Sequence, residues 1–426
     1  MDTVPALVKW LQEKGLKNSL VAVQDIPGKG RGLVVREDVQ PGTSLFTLRD
    51  SALLNLRTLR LVYPRFFDGV KNKTGLNAIQ LLALHLFLHR PKDNAPSTDE
   101  HWGPYITSLP TEFDTHPLVW RCREDDDARD QLSLLPLPHR RAVEAVWTRF
   151  QNDAEAVTGF LADARRRATL GLEESYRSLE RHSDFLWAWL CINTRSIYYR
   201  VVASPKSADN LTLCPLLDFA NHATVHNSGS SVPTFHAPTA LRAGDEVFLN
   251  YGPHPDQTLF AEYGFVTGDE ERQQLDVGPE LEGLFQADPH GAMKRMLLED
   301  ANYWQDWTLH LTPTPHPSFR TMTALRLLCL PSTSDDDVKK WQDTVHGLEN
   351  TVSEENESSV RRSLEDLCSR VLASAATNHQ RAQDLVPVVL SNASSHFTRD
   401  TICALWKERQ RVATAVLEAT RRGDEF

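Results

Sequence analysis

Two tyrosine–glycine pairs, Tyr251-Gly252 and Tyr263-Gly264, stand twelve residues apart in LNYGPHPDQTLFAEYGFV (249–266), and Phe265 follows the second. Aromatic rings at strand ends and turns are ordinary core, yet a buried tyrosine hydroxyl seeks a hydrogen-bond partner. Two tyrosines and a phenylalanine beside glycine turns can also wall a channel that attracts a cation through ring faces and orients it through hydroxyls. A second group, Asp218-Phe219-Ala220-Asn221-His222, follows the apolar run LTLCPLL. It reads either as a satisfied buried hydrogen-bond cluster or as a polar site. His222 has the chemistry of a base, but no Gly-x-Ser-x-Gly or cysteine-nucleophile motif accompanies it. A third group, DIPGKGRG (25–32), invites a nucleotide-loop reading. That reading needs a helix opening directly after the glycines. Here Leu33-Val34-Val35 follows, Pro41-Gly42 breaks any helix within ten residues, and no Gly-Lys-Ser/Thr ends the cluster. A tight β-turn fits, or a turn whose backbone approaches a ligand closely with Arg31 beside it.

These groups need elements to carry them. Residues 19–48 read as short strands broken by turns, and 75–90 as a continuous Leu/Ala-rich helix. PKDNAPSTDE (91–100) reads as a polar loop and REDDDARD (123–130) as an acidic one. Helical pattern returns over about 138–190, where Arg165-Arg166-Arg167 reads as a solvated helix face. Strand character reappears from Ile197 to Val202 and over 243–249. From about 285 onward the patterns are helical, with SEENESS (353–359) read as a polar loop joining helices.

With 426 residues and 41% hydrophobic content, two or three packed units are expected. No run approaches the roughly 18 to 20 apolar residues of a membrane span, and the first twenty residues lack the apolar stretch of a secretory signal. Six cysteines stand singly at 122, 191, 214, 329, 368 and 403. Their spacing matches neither a zinc site nor a disulfide scaffold, so a reduced cytoplasmic or nuclear setting and no metal are expected. Of the net charge of −11, residues 268–426 carry −9. That sign disfavours nucleic acid as a partner. It fits either a solubilising surface or a dock for a basic protein.

GKGRGL, LLDFANHA and DEVFLNYG…AEYGF, in that order, resemble the three signature segments of SET-domain methyltransferases. EHWGPYITSLP, FLWAWLCINTRS and the helical C-terminal third resemble the branch typified by the Rubisco large-subunit lysine methyltransferase. INTRSIYY and LTLCPLLDFANHA are most similar to fungal members. The resemblance implies an α+β chain: a SET-domain β-fold over 20–267 with a helical insert at about 75–190, then an all-α substrate-binding lobe over 268–426. It implies S-adenosyl-L-methionine as cofactor, a protein substrate and no metal, with neither nucleic acid nor membrane as partner. Carried over by position, Lys29, Gly30, Arg31, Gly32 and Leu33 lie along the cofactor. Arg195 clamps its carboxylate, with Asp218 also at the cofactor. Asn221 and His222 meet its adenine end and support a knot-like chain crossing. Tyr251 is the catalytic tyrosine and also contacts the cofactor, and Tyr263 and Phe265 line the lysine channel and the cofactor.

The implied activity is protein-lysine N-methylation of a non-histone protein. Transfer to histidine on the same fold, or a catalytically silent SET-fold interaction module, are the alternatives. Two departures from the family pattern stand near the site. Pro255-Asp256 replaces a Ser-Asn after the first Tyr-Gly pair, and Ala223 replaces the serine after Asn-His.

Overall fold

The computed structural model describes residues 3–17, 19–68, 71–93, 95–123, 125–172, 178–201, 208–224, 234–268, 273–384 and 392–426. The chain divides into two compact units, Met1–Phe113 with Val146–Pro253, and Asp114–Ala145 with His254–Phe426. Among the described residues no helix is long and apolar enough to cross a membrane.

In the first unit, the glycine-rich segment makes an antiparallel hairpin of Val21–Ile26 and Gly30–Val35, with Ile26 opposite Gly30. Gly28 and Gly30 hold φ of +76° and +73°, so the expected tight turn is present. Glu246–Val247 pairs along the other edge of Gly30–Val35, which makes that strand the middle of three. Leu33, Val34 and Val35 are all buried, as in a strand covered on both faces. Short pairs Ser44–Thr47 with Thr234–His236, and Ser196–Tyr198 with Leu211–Leu213, complete the β part. The helix Ala78–Leu88 starts at a reciprocal capping box between Asn77 and Gln80. It is apolar on nearly every side and accordingly buried on nearly every side. It packs against Ser183–Arg195, whose residues Phe185 to Ile192 are all buried.

The second unit is helical, with a long pair, Glu354–Gln383 and Asn392–Arg422, packed along each other. Its core gathers Val277, Leu281, Phe285, Trp307, Leu325, Trp341, Leu364 and Val412. Three short antiparallel strands, Gln274–Asp276, Thr308–His310 and His316–Pro317, add a small sheet that composition did not signal.

Several local expectations are corrected. The acidic run 123–130 is largely helix, Asp126–Ser133, with Asp125 accepting from the Ala128 amide as N-cap. SEENESS opens the Glu354–Gln383 helix, with the Ser353 side chain accepting from Asn356. In both places the acidic residues that looked like loop stand in the first turn, where they complement the helix dipole. Over 243–249 the strand shortens to Glu246–Val247, with one further parallel bridge at Leu249, because Arg242 to Asp245 form a hydrogen-bonded turn. The strand from Ile197 ends at Tyr198, and Val202 lies outside the described residues. The basic run 165–167 lies on the helix Ala164–Thr169, which buries no residue, so the solvated face is present, but Arg166 and Arg167 also serve the preceding helix. They turn back onto the carbonyls of Phe160, Leu161 and Ala162, at the C-terminal end of the Leu137–Leu161 helix.

A half-buried acid, Glu408, contributes to the pH dependence of stability. Glu408, on Asn392–Arg422, is pushed up to about 8 by burial and then by the charge of Asp256, against Arg409 and Arg411. The folded chain therefore keeps a proton that the unfolded chain has lost, and stability falls as pH climbs from about 4.5 to about 8. Glu408→Gln should melt with wild type at pH 4.5 and at least about 2 °C above it at pH 8.5. An equal offset at both pH values in scanning calorimetry would refute the titration.

Candidate active site

Three segments far apart in the chain meet at Gly32. A β-carbon placed there would lie 2.7 Å from Ile26 Cγ1, 2.9 Å from Glu246 Oε1 and 3.0 Å from Asn221 Nδ2. A side chain there would have to push aside Ile26 and part Asn221 from Glu246, so glycine serves close approach here rather than a backbone angle. Asn221 Nδ2 donates to Glu246 Oε1 at 2.7 Å. The other carboxylate oxygen lies 3.4 Å from the Lys29 ammonium, which itself sits 4.9 Å over the Phe248 ring. Leu33, two residues beyond Arg31 on the same strand, is fully buried.

Behind this cradle Asp218 is a buried hub, its side chain 1% exposed. Arg195, the last residue of the Ser183–Arg195 helix, donates Nη1 to the Asp218 carbonyl at 2.6 Å and lies 3.7 Å from Oδ2. Tyr105, on the helix Gly103–Ser108, donates its hydroxyl to Oδ2 at 3.1 Å. Burial pushes the Asp218 carboxyl up, opposed by Arg195, by the Tyr105 hydrogen bond and by Arg31. The Arg31 guanidinium lies 4.9 Å over Phe219 and donates to the Ser108 carbonyl at 2.7 Å. Asp218 Oδ1 and Arg195 Nε are buried and make no hydrogen bond.

Next to the hub, Asn221–Ala223 runs parallel to the chain at Leu249. The Leu249 amide donates to Asn221 at 2.9 Å and the Ala223 amide to Leu249 at 3.3 Å. This pairing aligns His222 with Tyr251. The Tyr251 amide donates to His222 Nδ1 at 3.2 Å, the Tyr251 hydroxyl donates to the Ala220 carbonyl at 3.0 Å, and the ring centroids are 5.1 Å apart.

Tyr263 and Phe265 belong to the second unit, with ring centroids 6.1 Å apart. The helix Asp256–Tyr263 ends at Gly264 in the left-handed region, φ +80°, against His116. His116 Nδ1 accepts from the Leu118 amide, so the neutral ring donates Nε2–H to the Glu262 carbonyl. Burial lowers that imidazole to about 4, which keeps it in the neutral form. At the other end of the helix, the departure Pro255-Asp256 has a structural use. Asp256 accepts from the Thr267 amide and hydroxyl and from the Gly268 amide, each at 2.8 Å, closing a loop around Tyr263 and Phe265.

Lys29, Gly30, Arg31, Gly32, Leu33, Arg195, Asp218, Asn221, His222 and Tyr251 thus all lie in the first unit, and Tyr263 and Phe265 in the second. Sequence reasoning missed Glu246, Tyr105, His116 and Asp256 as supporting groups. Glu246 and Tyr105 sit inside DEVFLNYG and GPYITSLP, but their partners are 25 and 113 residues away.

Tyr105→Phe removes one donor from a carboxylate that water does not reach. It should cost about 1–3 kcal/mol in urea unfolding. Unchanged stability would mean that the Tyr105–Asp218 bond contributes nothing.

The chain resembles several known proteins. A family model described as Rubisco LSMT substrate-binding matches residues 286–418. SET domain-containing protein 4 of Homo sapiens is 30% identical over 338 residues, 76% of this chain and 72% of that protein. Ribosomal lysine N-methyltransferase set11 of Schizosaccharomyces pombe is 26% identical over 418 residues, 96% of each chain. Actin-histidine N-methyltransferase of Homo sapiens is 24% identical over 398 residues, 88% of this chain and 62% of that protein. Among solved structures, the SET domain of LSMT bound to lysine and AdoHcy shares the fold with a TM-score of 0.67 at 19% identity, over 99% of this chain and 92% of that one. Matched at 30% identity to a relative over most of that relative's length, the chain belongs to the SET-domain family of protein methyltransferases, in the Rubisco LSMT-like branch.

Proposed function

We propose that this chain transfers a methyl group from S-adenosylmethionine to the side-chain amine of a lysine in a non-histone protein. The observation that carries the reading is the convergence at Gly32 of the glycine strand, the Asp218–His222 turn and the chain leading to Tyr251. Solved relatives hold AdoMet or AdoHcy. One feature of this chain fits such a group: Arg195, whose Nε is buried without a hydrogen bond.

We assign the backbone of Lys29, Gly30, Arg31, Gly32 and Leu33 to the cofactor's length, and Asn221 and His222 to its adenine end. Arg195 takes the cofactor carboxylate through charge-assisted hydrogen bonds. Asp218 positions Arg195, since it holds the guanidinium by its carbonyl and its carboxylate. S-adenosylmethionine, when bound, supplies the methyl group from a sulfonium. A lysine ammonium, with a pKa of about 10.4, must lose its proton before its nitrogen can attack. Apolar, aromatic surroundings disfavour the charged form. The Tyr251 hydroxyl gives its proton to the Ala220 carbonyl, so an amine drawn to it meets an acceptor oxygen. Holding that amine in line is where Tyr251 contributes to rate, because misplacement by about 1 Å can cost about 10²-fold.

Lysine as target is supported by the fission-yeast relative, which this chain matches end to end. Histidine is the second reading, supported by the actin-histidine relative. The two differ chemically: an imidazole with a pKa of about 6.5 is already neutral at pH 8, whereas a lysine must be deprotonated. Labelled methyl transfer into an extract from cells lacking the protein, followed by mass spectrometry of the modified site, decides between them. A modified lysine and a rate that climbs with pH above 8 are expected. A modified histidine with a flat rate over that range would overturn the lysine assignment.

In the same assay Tyr251→Phe should lower turnover by about 10²-fold while AdoHcy affinity stays within twofold of wild type. Unchanged turnover would remove Tyr251 from the catalytic role. The acidity of residues 268–426 supports a lysine-rich target. KM for the modified protein should then rise severalfold between low and physiological salt, as screening of surface charge requires. A salt-independent KM would leave that acidity to solubility.

A further inference from the structure

We infer that His85, His89 and Asp99 form a divalent-metal site of the Zn²⁺ class inside the first unit. His85 and His89 stand four residues apart at the end of the Ala78–Leu88 helix, on one side of it. Asp99 arrives from the loop before the helix Gly103–Ser108. Its Oδ2 lies 3.5 Å from His85 Nε2 and 3.7 Å from His89 Nε2. All three ligand atoms fall within 4.8 Å of one another. Those separations exceed the usual hydrogen-bond range of about 2.7–3.2 Å. They approach the edge of about 3.4 Å between two ligands of a tetrahedral zinc with bonds of about 2.0–2.2 Å.

A second observation points into the same space. His85 is fully buried, and its Nε2 has no hydrogen-bond partner. A buried ring nitrogen left in that state is uncommon, and an ion would satisfy it. The other ring nitrogen, Nδ1, pairs with the Tyr63 hydroxyl at 2.8 Å, the kind of outer contact that orients a ligating histidine. Asp99 is aimed as well. Its Oδ1 accepts from the backbone amides of His101 and Trp102, which turns Oδ2 toward the two rings. The His85 and Asp99 side chains are 0% and 3% exposed and His89 is 26% exposed, so the cluster is closed except along His89. Two imidazoles and one carboxylate with one accessible side suit Zn²⁺ and similar transition ions. They do not suit Ca²⁺ or Mg²⁺, which take oxygen ligands.

Such an ion has a mechanical consequence. The Gly103 amide donates to the Asp99 carbonyl at 3.1 Å, so Asp99 anchors the start of the helix whose Tyr105 holds Asp218 and whose Ser108 carbonyl receives Arg31. A metal there would tie the end of one helix to the base of another that braces the hub. It would also overturn the expectation of no metal, which rested on cysteine spacing and passed over His-x-x-x-His because its third ligand lies ten residues on, in a polar loop.

The test uses full-length protein stripped with a chelator, then titrated with ZnCl₂ by calorimetry and with Co²⁺ by absorption. His89→Gln changes the partly exposed ligand, and Asp99→Asn keeps the oxygen that caps His101 and Trp102. Expected are one Zn²⁺ equivalent bound by wild type and at least about tenfold weaker binding in both variants, with unchanged circular dichroism. The Co²⁺ spectrum should lack thiolate charge-transfer bands. No saturable binding by stripped wild type, binding that both variants retain, or thiolate bands in the Co²⁺ spectrum would each overturn the site.

Discussion

A carboxylate buried as deeply as that of Asp218 demands compensation, because desolvation penalises its charge by several kcal/mol unless donors replace the lost water. The donors come from the segments that also shape the cradle. Tyr105 reaches Asp218 from the helix Gly103–Ser108, Arg195 from the end of Ser183–Arg195, and Arg31 acts from the glycine-rich strand through the field alone. Remove the carboxylate and Tyr105 and Arg195 each lose a partner, while Arg31 stays held by Ser108 and Phe219. The cradle at Gly32 depends on the hub through Asn221, three residues along the same turn. Cofactor-facing and structural roles are therefore hard to separate here, since the groups assigned to bind are the ones that hold the turn together.

The second unit handles charge differently. Three of its cations are turned inward and matched to acids: Lys294 with Asp288, Arg326 with Glu357 and Arg409 with Glu280, the cationic side chains being 7% exposed or less. Part of its acidity is local in origin, because Asp335 to Asp337 and Glu354, Glu355 and Glu357 occupy first turns of helices. The net −9 of residues 268–426 is thus partly helix-terminus chemistry, favourable without any partner. That sets a lower ceiling on how much of the charge acts as a docking field, and makes salt dependence the informative quantity rather than net charge.

Much of the fold was legible residue by residue. The hairpin turn at Gly28–Gly30, the buried helix Ala78–Leu88 and the helical character after 285 follow from glycine placement and apolar periodicity. The errors cluster where acidic residues decide a local question. REDDDARD and SEENESS look like solvated loop by composition, yet a serine or aspartate ahead of several acids is also how a helix begins. The small sheet of the second unit escaped notice because its strands are two or three residues long, too short to show an alternating pattern. Arg166 and Arg167 carry no sequence sign that, from a solvated helix, they also cap the one before it.

The sequence by itself determined the family, the order of the three segments and the residue types available for chemistry, because each segment is a short run whose spacing survives without its neighbours. Only the tertiary structure decided which groups touch. Asn221 meets Glu246 across 25 residues and Tyr105 meets Asp218 across 113, and His116 supports the corner at the distant Gly264. The same holds for His85, His89 and Asp99, where four-residue spacing on a helix was visible but convergence with a loop aspartate was not. The physical reason is common to all of them: periodicity and capping act over one or two turns of chain, whereas a buried polar atom is satisfied by whatever the fold brings within about 3 Å.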